Sequence, residues 1–439
     1  MSDYMFMLDS HLNAEQSKAV AAVREAAEQA HVNVFLTGGA MRDMMGGYPI
    51  RDLDFTVEGP ALKLARAVAQ KLNAEITSMD ETRRVAELIS EGMTTFSISM
   101  ARQERYAKPG SKPQVQPATI HEDLHGRDFT INAIALSLSQ ASRGLLLDPT
   151  NGLGDLNRKE LRAVTNYALF DDPSRILRLI RFRTRLGFAI DERTQVQYQN
   201  AREAKLENKI PAPALQYELR QMALDPLAGE ILKALEEENL LVVFSPALSG
   251  AKLNLAGLQR LQKARQSLPA GVHLSVNFFV LFLHTLFEKL TPRERGQLAQ
   301  NIGLQKRDLD AVQRLEAKAS KVEKQLATAK LQRPSALYAL LRNVPGDVLL
   351  FLLMHSSQRL VLDRTRNYLQ KYLPAAQEIT EQQVIEHGGK PGTPKFNKIR
   401  EELIAARLDA RPKKPVIQEE PPALAVPPPP SRRIPSFSR

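Results

Sequence analysis

A chain of 439 residues is longer than one ordinary domain, so a small functional unit joined to further modules is expected. Its 43% hydrophobic content can bury sizeable cores, and the absence of cysteine excludes disulfides, zinc–cysteine sites and thiol chemistry. The formal net charge of +11 favours a polyanionic partner, because each neutralised phosphate releases counterions; basic residues scattered over a surface would give the same sum. No opening stretch carries a secretory pattern, and no apolar run reaches the roughly 18–20 residues of a membrane span. A soluble, cytoplasmic protein with no membrane partner is expected.

In chain order, residues 12–30 read as an amphipathic helix rich in Ala and Glu. Val32–Thr37 reads as a buried strand ended by Gly38-Gly39, and Leu53–Val57 as a second. Ala61–Leu72 reads as a helix. Val85–Ile89 and Thr94–Met100 read as strands paired across Ser90–Gly92. Ile131–Leu138 is a further apolar segment, and Leu145–Leu147 a short strand, which together give a mixed α/β unit. Beyond residue 155 the pattern predicts helices over Arg175–Leu186, Ala214–Ala223, Ala228–Leu241, Val276–Leu290, Arg293–Ile302, Asp308–Leu326, Arg333–Leu341 and Gly346–Tyr372. From Pro412 the chain is proline-rich with scattered basic residues, a composition of disordered or polyproline segments.

Four segments carry candidate chemistry. In Gly38-Gly39-Ala40-Met41-Arg42-Asp43, paired glycines after a strand let the backbone approach a ligand. A helix starting there would aim free N–H groups at phosphate oxygens, with Arg42 as a forked donor; a structural turn is the plain alternative. In Arg51-Asp52-Leu53-Asp54-Phe55, strand alternation points Asp52 and Asp54 together while Leu53 and Phe55 face a core. Two crowded carboxylates call for divalent cations, as in two-metal phosphoryl transfer, whereas a solvated turn would tolerate them without one. In Gly126-Arg127-Asp128-Phe129-Thr130-Ile131-Asn132, Arg127 could hold a phosphate and Asp128 a ribose hydroxyl, or the pair could serve as a helix cap and ion pair. In the segment starting Asp171-Asp172-Pro173-Ser174, Asp before Pro marks a helix start, and Asp172, Arg175, Arg178 and Arg181 then wind along one side. Carboxylate and guanidinium one turn apart suit the edge of a base; an exposed arginine face is the alternative.

Together FLTGGAMRD, RDLDF, GRDFTINAIAL, LDPTNGLGDL and DDPSRILRLIRFRTRLGF resemble the class II tRNA nucleotidyltransferase and bacterial poly(A) polymerase family, one of the polymerase-β-like nucleotidyltransferases. The likeness runs over about residues 32–190 and loosens beyond, where NKIPAPALQYELRQMALDP fits the next helical segment. It implies an α+β fold: an N-terminal helix (1–31), a head with a mixed sheet (32–150), then an all-helical neck (151–245), RNA-binding body (246–345) and tail (346–411), and a proline-rich end (412–439). It implies addition of CMP and AMP to the tRNA 3′ end from CTP and ATP, with release of pyrophosphate and Mg²⁺ as cofactor. Poly(A), A-adding and CC-adding activities are the related alternatives. By position, Asp52 and Asp54 hold the metal ions. Gly38, Gly39, Arg42, Asp43, Arg127, Asp128 and Asn132 line the nucleotide. Asp172 and Arg175 read the base edge, and Arg178 and Arg181 reach the phosphates.

Two departures stand out. Gly126 replaces the first of two arginines usual in the family. Ser97 occupies the strand position, counted back from Arg102-Gln103-Glu104, where many members carry an acid; Glu87 and Glu104 are the candidate stand-ins. These departures also motivate a non-catalytic RNA-binding alternative. Finally, His121-Glu122-Asp123-Leu124-His125 matches the H-E-x-x-H zinc-peptidase pattern, which Gly126 and Pro117 leave little helix to support.

Overall fold

The computed structural model describes residues 3–90, 94–269, 271–329 and 331–410. The proline-rich end read from residue 412 onward lies outside the described residues, as does part of the Ser90–Gly92 connection.

The chain opens with α1 (Asp3–His11), which the sequence reading missed, and α2 (Ala14–Gln29). Asn13 and Gln16 start α2 with a reciprocal capping box. Next come β1 (Asn33–Thr37), α3 (Gly38–Met45), β2 (Leu53–Glu58) and α4 (Ala61–Leu72). Helix α4 ends where Asn73 adopts a left-handed backbone, φ 49°. Strands β3 (Glu75–Asp80), β4 (Val85–Ile89), β5 (Thr95–Met100), β6 (Arg102–Arg105) and β7 (Gln114–Pro117) follow, then α5 (Ile120–His125), β8 (Ala135–Ser137) and β9 (Leu146–Leu147). Among the described residues these form a seven-stranded sheet in the order β3-β4-β5-β2-β1-β8-β9 and a separate β6–β7 ribbon. The sheet is mixed, as expected: β2 runs parallel to β5, while its other neighbouring pairs are antiparallel.

One face of this sheet is covered by α2 and α4, whose Val20, Val23, Leu64 and Val68 join Leu53, Phe55 and Val57 of β2 in one buried cluster. Pleating therefore sends Asp54 and Thr56 to the opposite face. Strand β3 went unread because Glu-Ile-Thr-Ser-Met-Asp has no apolar run; it is an edge strand with shallow burial.

The remainder is helical: α6 (Gly152–Arg158), α7 (Ala168–Asp171), α8 (Ser174–Leu186), α9 (Glu192–Glu203), α10 (Ala212–Leu224), α11 (Ala228–Glu237), α12 (Leu255–Gln266), α13 (Phe278–Phe287), α14 (Pro292–Asn301), α15 (Lys306–Leu326), α16 (Pro334–Leu341), α17 (Gly346–His355), α18 (Arg359–Asn367), α19 (Leu373–Gln377), α20 (Glu381–Glu386) and α21 (Pro394–Asp409). A two-residue parallel pair, β10 (Glu160–Leu161) with β11 (Ala189–Ile190), interrupts it. One buried apolar cluster runs from Phe129 to Leu373, and a smaller one joins Ile379, Val384, Phe396 and Ile404 near the end.

Two helix expectations need correction. The single helix read over Gly346–Tyr372 is broken: Ser356 turns extended and its hydroxyl donates to Glu323 at 2.5 Å, while its oxygen accepts from the Gln358 N–H. Further on, residues Tyr368–Tyr372 widen into a π-turn just ahead of Pro374, whose ring cannot fit a regular helix at the preceding turn. The helix read over Ala228–Leu241 stops at Glu237, because Asn239 adopts φ 53°. No single helix among the described residues is long and apolar enough to cross a membrane.

The joint between sheet and helices leaves no room at Gly152, where a Cβ would lie 2.1 Å from the Thr130 carbonyl oxygen. Gly152→Ala is expected to destabilise the protein by about 1–3 kcal/mol through overpacking. Urea denaturation checks this, and an unchanged midpoint would contradict the close approach.

Candidate active site

The site begins where β1 ends. Gly38 takes φ +65°, a left-handed conformation that suits glycine, and a Cβ there would lie 3.2 Å from Asp54 Oδ2. The Gly39 N–H donates to the same oxygen at 3.2 Å. The glycine pair thus lets the backbone lie against a carboxylate, and α3 starts immediately beside it.

Asp54 opposes Ser97 across β2–β5, and Ser97 opposes Glu87 across β5–β4. The three residues form one line on the face of the sheet away from α2 and α4. Ser97 Oγ donates to Asp54 Oδ1 at 2.9 Å, and the Thr95 hydroxyl donates to Asp52 Oδ1. Burial, reinforced by the neighbouring Asp52 carboxylate, raises the proton affinity of Asp54 above the usual range despite Ser97, Arg127 and the Gly39 N–H. Burial and then the charges of Asp54 and Asp52 raise Glu87 in the same way, with Arg220 opposing. The charge of Asp52 thus reaches both Asp54 and Glu87, and that of Asp54 reaches Glu87, which groups the three acids.

Of the two stand-ins considered for the acid missing at Ser97, only Glu87 joins this cluster. Glu104 instead accepts from Arg102 Nε at 2.7 Å, Arg83 Nε at 3.1 Å and the Tyr106 hydroxyl at 2.6 Å. Burial alone would raise it, but Arg102, Arg83 and the Tyr106 hydroxyl hold its carboxyl down at about 2.

The remaining motif residues form a continuous polar chain behind the acids. Arg42 Nε donates to Asp43 Oδ1 at 2.9 Å, and Arg42 Nη1 to Asn132 Oδ1 at 2.9 Å. Asn132 Nδ2 donates to Asp128 Oδ1 at 3.1 Å, and Arg178 Nη1 to Asp128 Oδ2 at 2.9 Å. Arg178 Nε and Arg181 Nε each donate at 3.0 Å to one oxygen of Glu218, a fully buried residue of α10. Arg127 stands nearer the acids, held by Asp123 Oδ2 at 2.8 Å through Nε and donating through Nη2 to Thr56 Oγ1 at 3.0 Å. At the start of α8, Asp172 Oδ1 accepts from the Ser174 N–H at 3.0 Å and the Ser174 hydroxyl at 2.6 Å, which is the capping expected of Asp before Pro. Arg175 Nη2 reaches the Gly126 carbonyl at 2.9 Å.

Two expectations are corrected by these contacts. Arg181 is only 4% exposed and stacks on the Phe182 ring while paired with Glu218, so it does not offer an open fork to a phosphate in this conformation. The His121–His125 segment is a six-residue helix, and Glu122 caps it by accepting from the Thr119 N–H at 2.8 Å. That carboxylate is thus a helix cap and not a general base over two zinc-binding histidines.

Sequence reasoning missed α10 as a wall of the site. Tyr217 is 43% exposed with the Arg178 guanidinium 5.8 Å over its ring, and the Arg220 charge opposes the raised proton affinity of Glu87. It also missed Arg185, which shares Asp43 with Arg42 and Arg51; burial and then those two cations lower its proton affinity to about 10. The only signal for these residues was the amphipathic spacing of their helices, which does not reveal which strand they face.

Residues 34–162 match the family described as the poly A polymerase head domain. That span contains the whole acid cluster. The chain is 36% identical over 194 residues to an A-adding tRNA nucleotidyltransferase of Halalkalibacterium halodurans, covering 44% of this chain and 45% of that protein. It is 32% identical over 201 residues to a CC-adding tRNA nucleotidyltransferase of Deinococcus radiodurans, covering 46% of this chain and 52% of that protein. The chain thus spans about half the length of these two curated relatives in the aligned region. A solved CCA-adding enzyme in its apo form shares the fold, with a TM-score of 0.52 and 22% identity over 94% of this chain and 96% of that one.

Two measurements test this geometry. Glu218→Ala leaves Arg178 and Arg181 without their shared carboxylate and is expected to cost about 3–5 kcal/mol, read by chemical denaturation. Asp128 is pushed up by burial but held down at about 2 by Arg178, Arg175 and the Asn132 and Phe129 N–H donors. A depressed folded-state value contributes stability above the unfolded value near 4 that is lost as pH falls toward 2. In Asp128→Asn that part of the acid limb should vanish from a stability–pH curve; an unaltered limb would contradict the assignment.

Proposed function

We propose that the chain extends RNA 3′ ends without a nucleic-acid template, adding CMP and AMP from CTP and ATP to tRNA and releasing pyrophosphate. The observation that carries this reading is the acid cluster of Asp52, Asp54 and Glu87 beside the Gly38-Gly39 turn, with the Arg-bearing α8 behind it. The A-adding and CC-adding relatives support tRNA as the acceptor, and the net charge of +11 suits a phosphate-rich partner. Such a reaction belongs in the cytoplasm, where tRNA and nucleoside triphosphates meet.

The acids fit a divalent cation. Asp54 and Glu87 bind protons more readily than usual because burial, and then neighbouring negative charge, disfavours their ionised forms, and all-oxygen donors suit a hard ion such as Mg²⁺. Asp52 and Asp54 would hold it, and when bound it supplies acidity to the attacking 3′-hydroxyl and neutralises triphosphate charge. In this reading Glu87 accepts the hydroxyl proton on a carboxylate oxygen, the task that an acid at Ser97 would otherwise perform. Arg127, with Gly38 and Gly39, faces the triphosphate, while Arg42, buried against Asp43 and Asn132, braces the glycine turn. Asp128 and Arg178 set the angle between the head and α8, and Asp172 with Arg175 present acceptor and donor to the base edge.

Asp52→Ala and Asp54→Ala are each expected to abolish extension of a truncated tRNA while RNA affinity stays within about threefold; retained extension would remove the metal assignment. Glu87→Gln is expected to slow single-turnover extension by about 10²–10⁴-fold, the usual worth of a general base. A rate equal to wild type would return Glu87 to a surface role. Sequencing the 3′ ends made on tRNAs lacking one, two or three nucleotides checks the product. Full CCA restoration is expected; addition of C alone or A alone would assign one of the narrower activities.

A further inference from the structure

Metal-ligating side chains also converge far along the chain from the acids. His284 lies in the last turn of α13, Glu288 directly follows that helix, and His355 ends α17. One ligand atom from each lies within 4.8 Å of the others. None of these residues has a part in the nucleotide chemistry above.

Hydrogen bonds on the far side of each ring decide which lone pairs point inward. His284 Nε2 lies 2.9 Å from Glu316 Oε1 of α15. A carboxylate only accepts, so Nε2 carries the proton and Nδ1 keeps a lone pair. That Nδ1 is buried without a hydrogen-bond partner, 3.6 Å from Glu288 Oε1. His355 Nδ1 lies 3.1 Å from the Phe351 carbonyl oxygen, which likewise fixes the proton there, and its Nε2 faces Glu288 Oε1 at 2.6 Å. The other oxygen of Glu288 is taken by Asn254 Nδ2 at 2.6 Å and Arg260 Nη2 at 3.3 Å. Phe351 stacks on the His355 ring at 4.1 Å and meets His284 edge-on at 4.9 Å, which holds both rings in place.

Two imidazole lone pairs and a carboxylate oxygen therefore aim at one point, and they repel unless positive charge sits among them. A second proton on each ring would place two imidazoliums 5.6 Å apart in a largely buried site, and a second proton on His355 alone would satisfy its contact with Glu288 but leave the buried His284 Nδ1 without a partner. A single cation satisfies all three atoms at once. We infer that His284 Nδ1, Glu288 Oε1 and His355 Nε2 bind one divalent cation of the zinc class, which ties α13 to α17. Two nitrogens and one oxygen favour Zn²⁺ or Co²⁺ over Mg²⁺. A carboxylate on the outer nitrogen, as Glu316 provides here, is the usual support of a zinc-bound histidine. Bonds of about 2.0–2.1 Å require the 2.6 Å His355–Glu288 contact to open slightly, and water completes the coordination.

The test uses full-length protein freed of metal by a chelator and titrated with Co²⁺. With excess Mg²⁺ present to occupy the acids, one Co²⁺ per chain is expected, with visible absorption that Zn²⁺ displaces and a raised melting temperature. His355→Ala should lose both, and Asp54→Ala should keep both. Glu316→Gln, at an exposed position, should fold normally and bind about 10–100-fold more weakly. The inference falls if no saturable signal appears, if the signal vanishes in Asp54→Ala, or if His355→Ala retains it. Should His355→Ala fail to fold, an unchanged Co²⁺ affinity in Glu316→Gln overturns it.

Discussion

The confinement of Asp54 to one sheet face beside Asp52 is the constraint on which the rest of the site depends. Leu53, Phe55 and Val57 are fully buried under α2 and α4, so the register of β2 leaves Asp54 no other face. Neighbouring strands then add Ser97 and Glu87 to the same line. A fold that places Asp54 and Glu87 on one row, with Asp52 two positions before Asp54, crowds negative charge there, and burial together with that charge raises the proton affinities of Asp54 and Glu87. A cation bound there, as the proposed function has it, would relieve that crowding.

Around the acids the protein balances charge by pairing, so that few guanidiniums are left for substrate. Asp43 serves Arg42, Arg51 and Arg185; Glu218 serves Arg178 and Arg181; Asp123 serves Arg127. The chain from Asp43 through Arg42, Asn132, Asp128 and Arg178 to Glu218 links α3 of the head to α8 and α10 beyond it. Each member is satisfied on both sides, the condition under which a buried polar network specifies one arrangement. This network ties the Gly38-Gly39 end of α3 to α8, the helix that Asp172 caps and that carries Arg175.

Much of the head was legible because its signals are local. The alternation in Arg51-Asp52-Leu53-Asp54-Phe55 reveals the faces of β2, and Asp172-Pro173 reveals the start of α8. The long-range partners were not legible. Nothing near Arg42 announces Asn132, 90 positions away, and nothing near Arg181 announces Glu218. The expectation that Arg181 points to phosphate rested on helical spacing, which gives the side of a helix but not what covers it. The break after His355 was hidden for a related reason: Ser356 and Gln358 are ordinary in a helix until Glu323 draws the serine hydroxyl aside.

The account is tested most directly by counting bound Mn²⁺ with electron paramagnetic resonance in wild type, Asp54→Asn and His355→Ala, without nucleotide. If the acids on β2 and β4 share a cation, Mn²⁺ binds wild type and His355→Ala alike and is lost from Asp54→Asn. Equal Mn²⁺ binding in wild type and Asp54→Asn would contradict it.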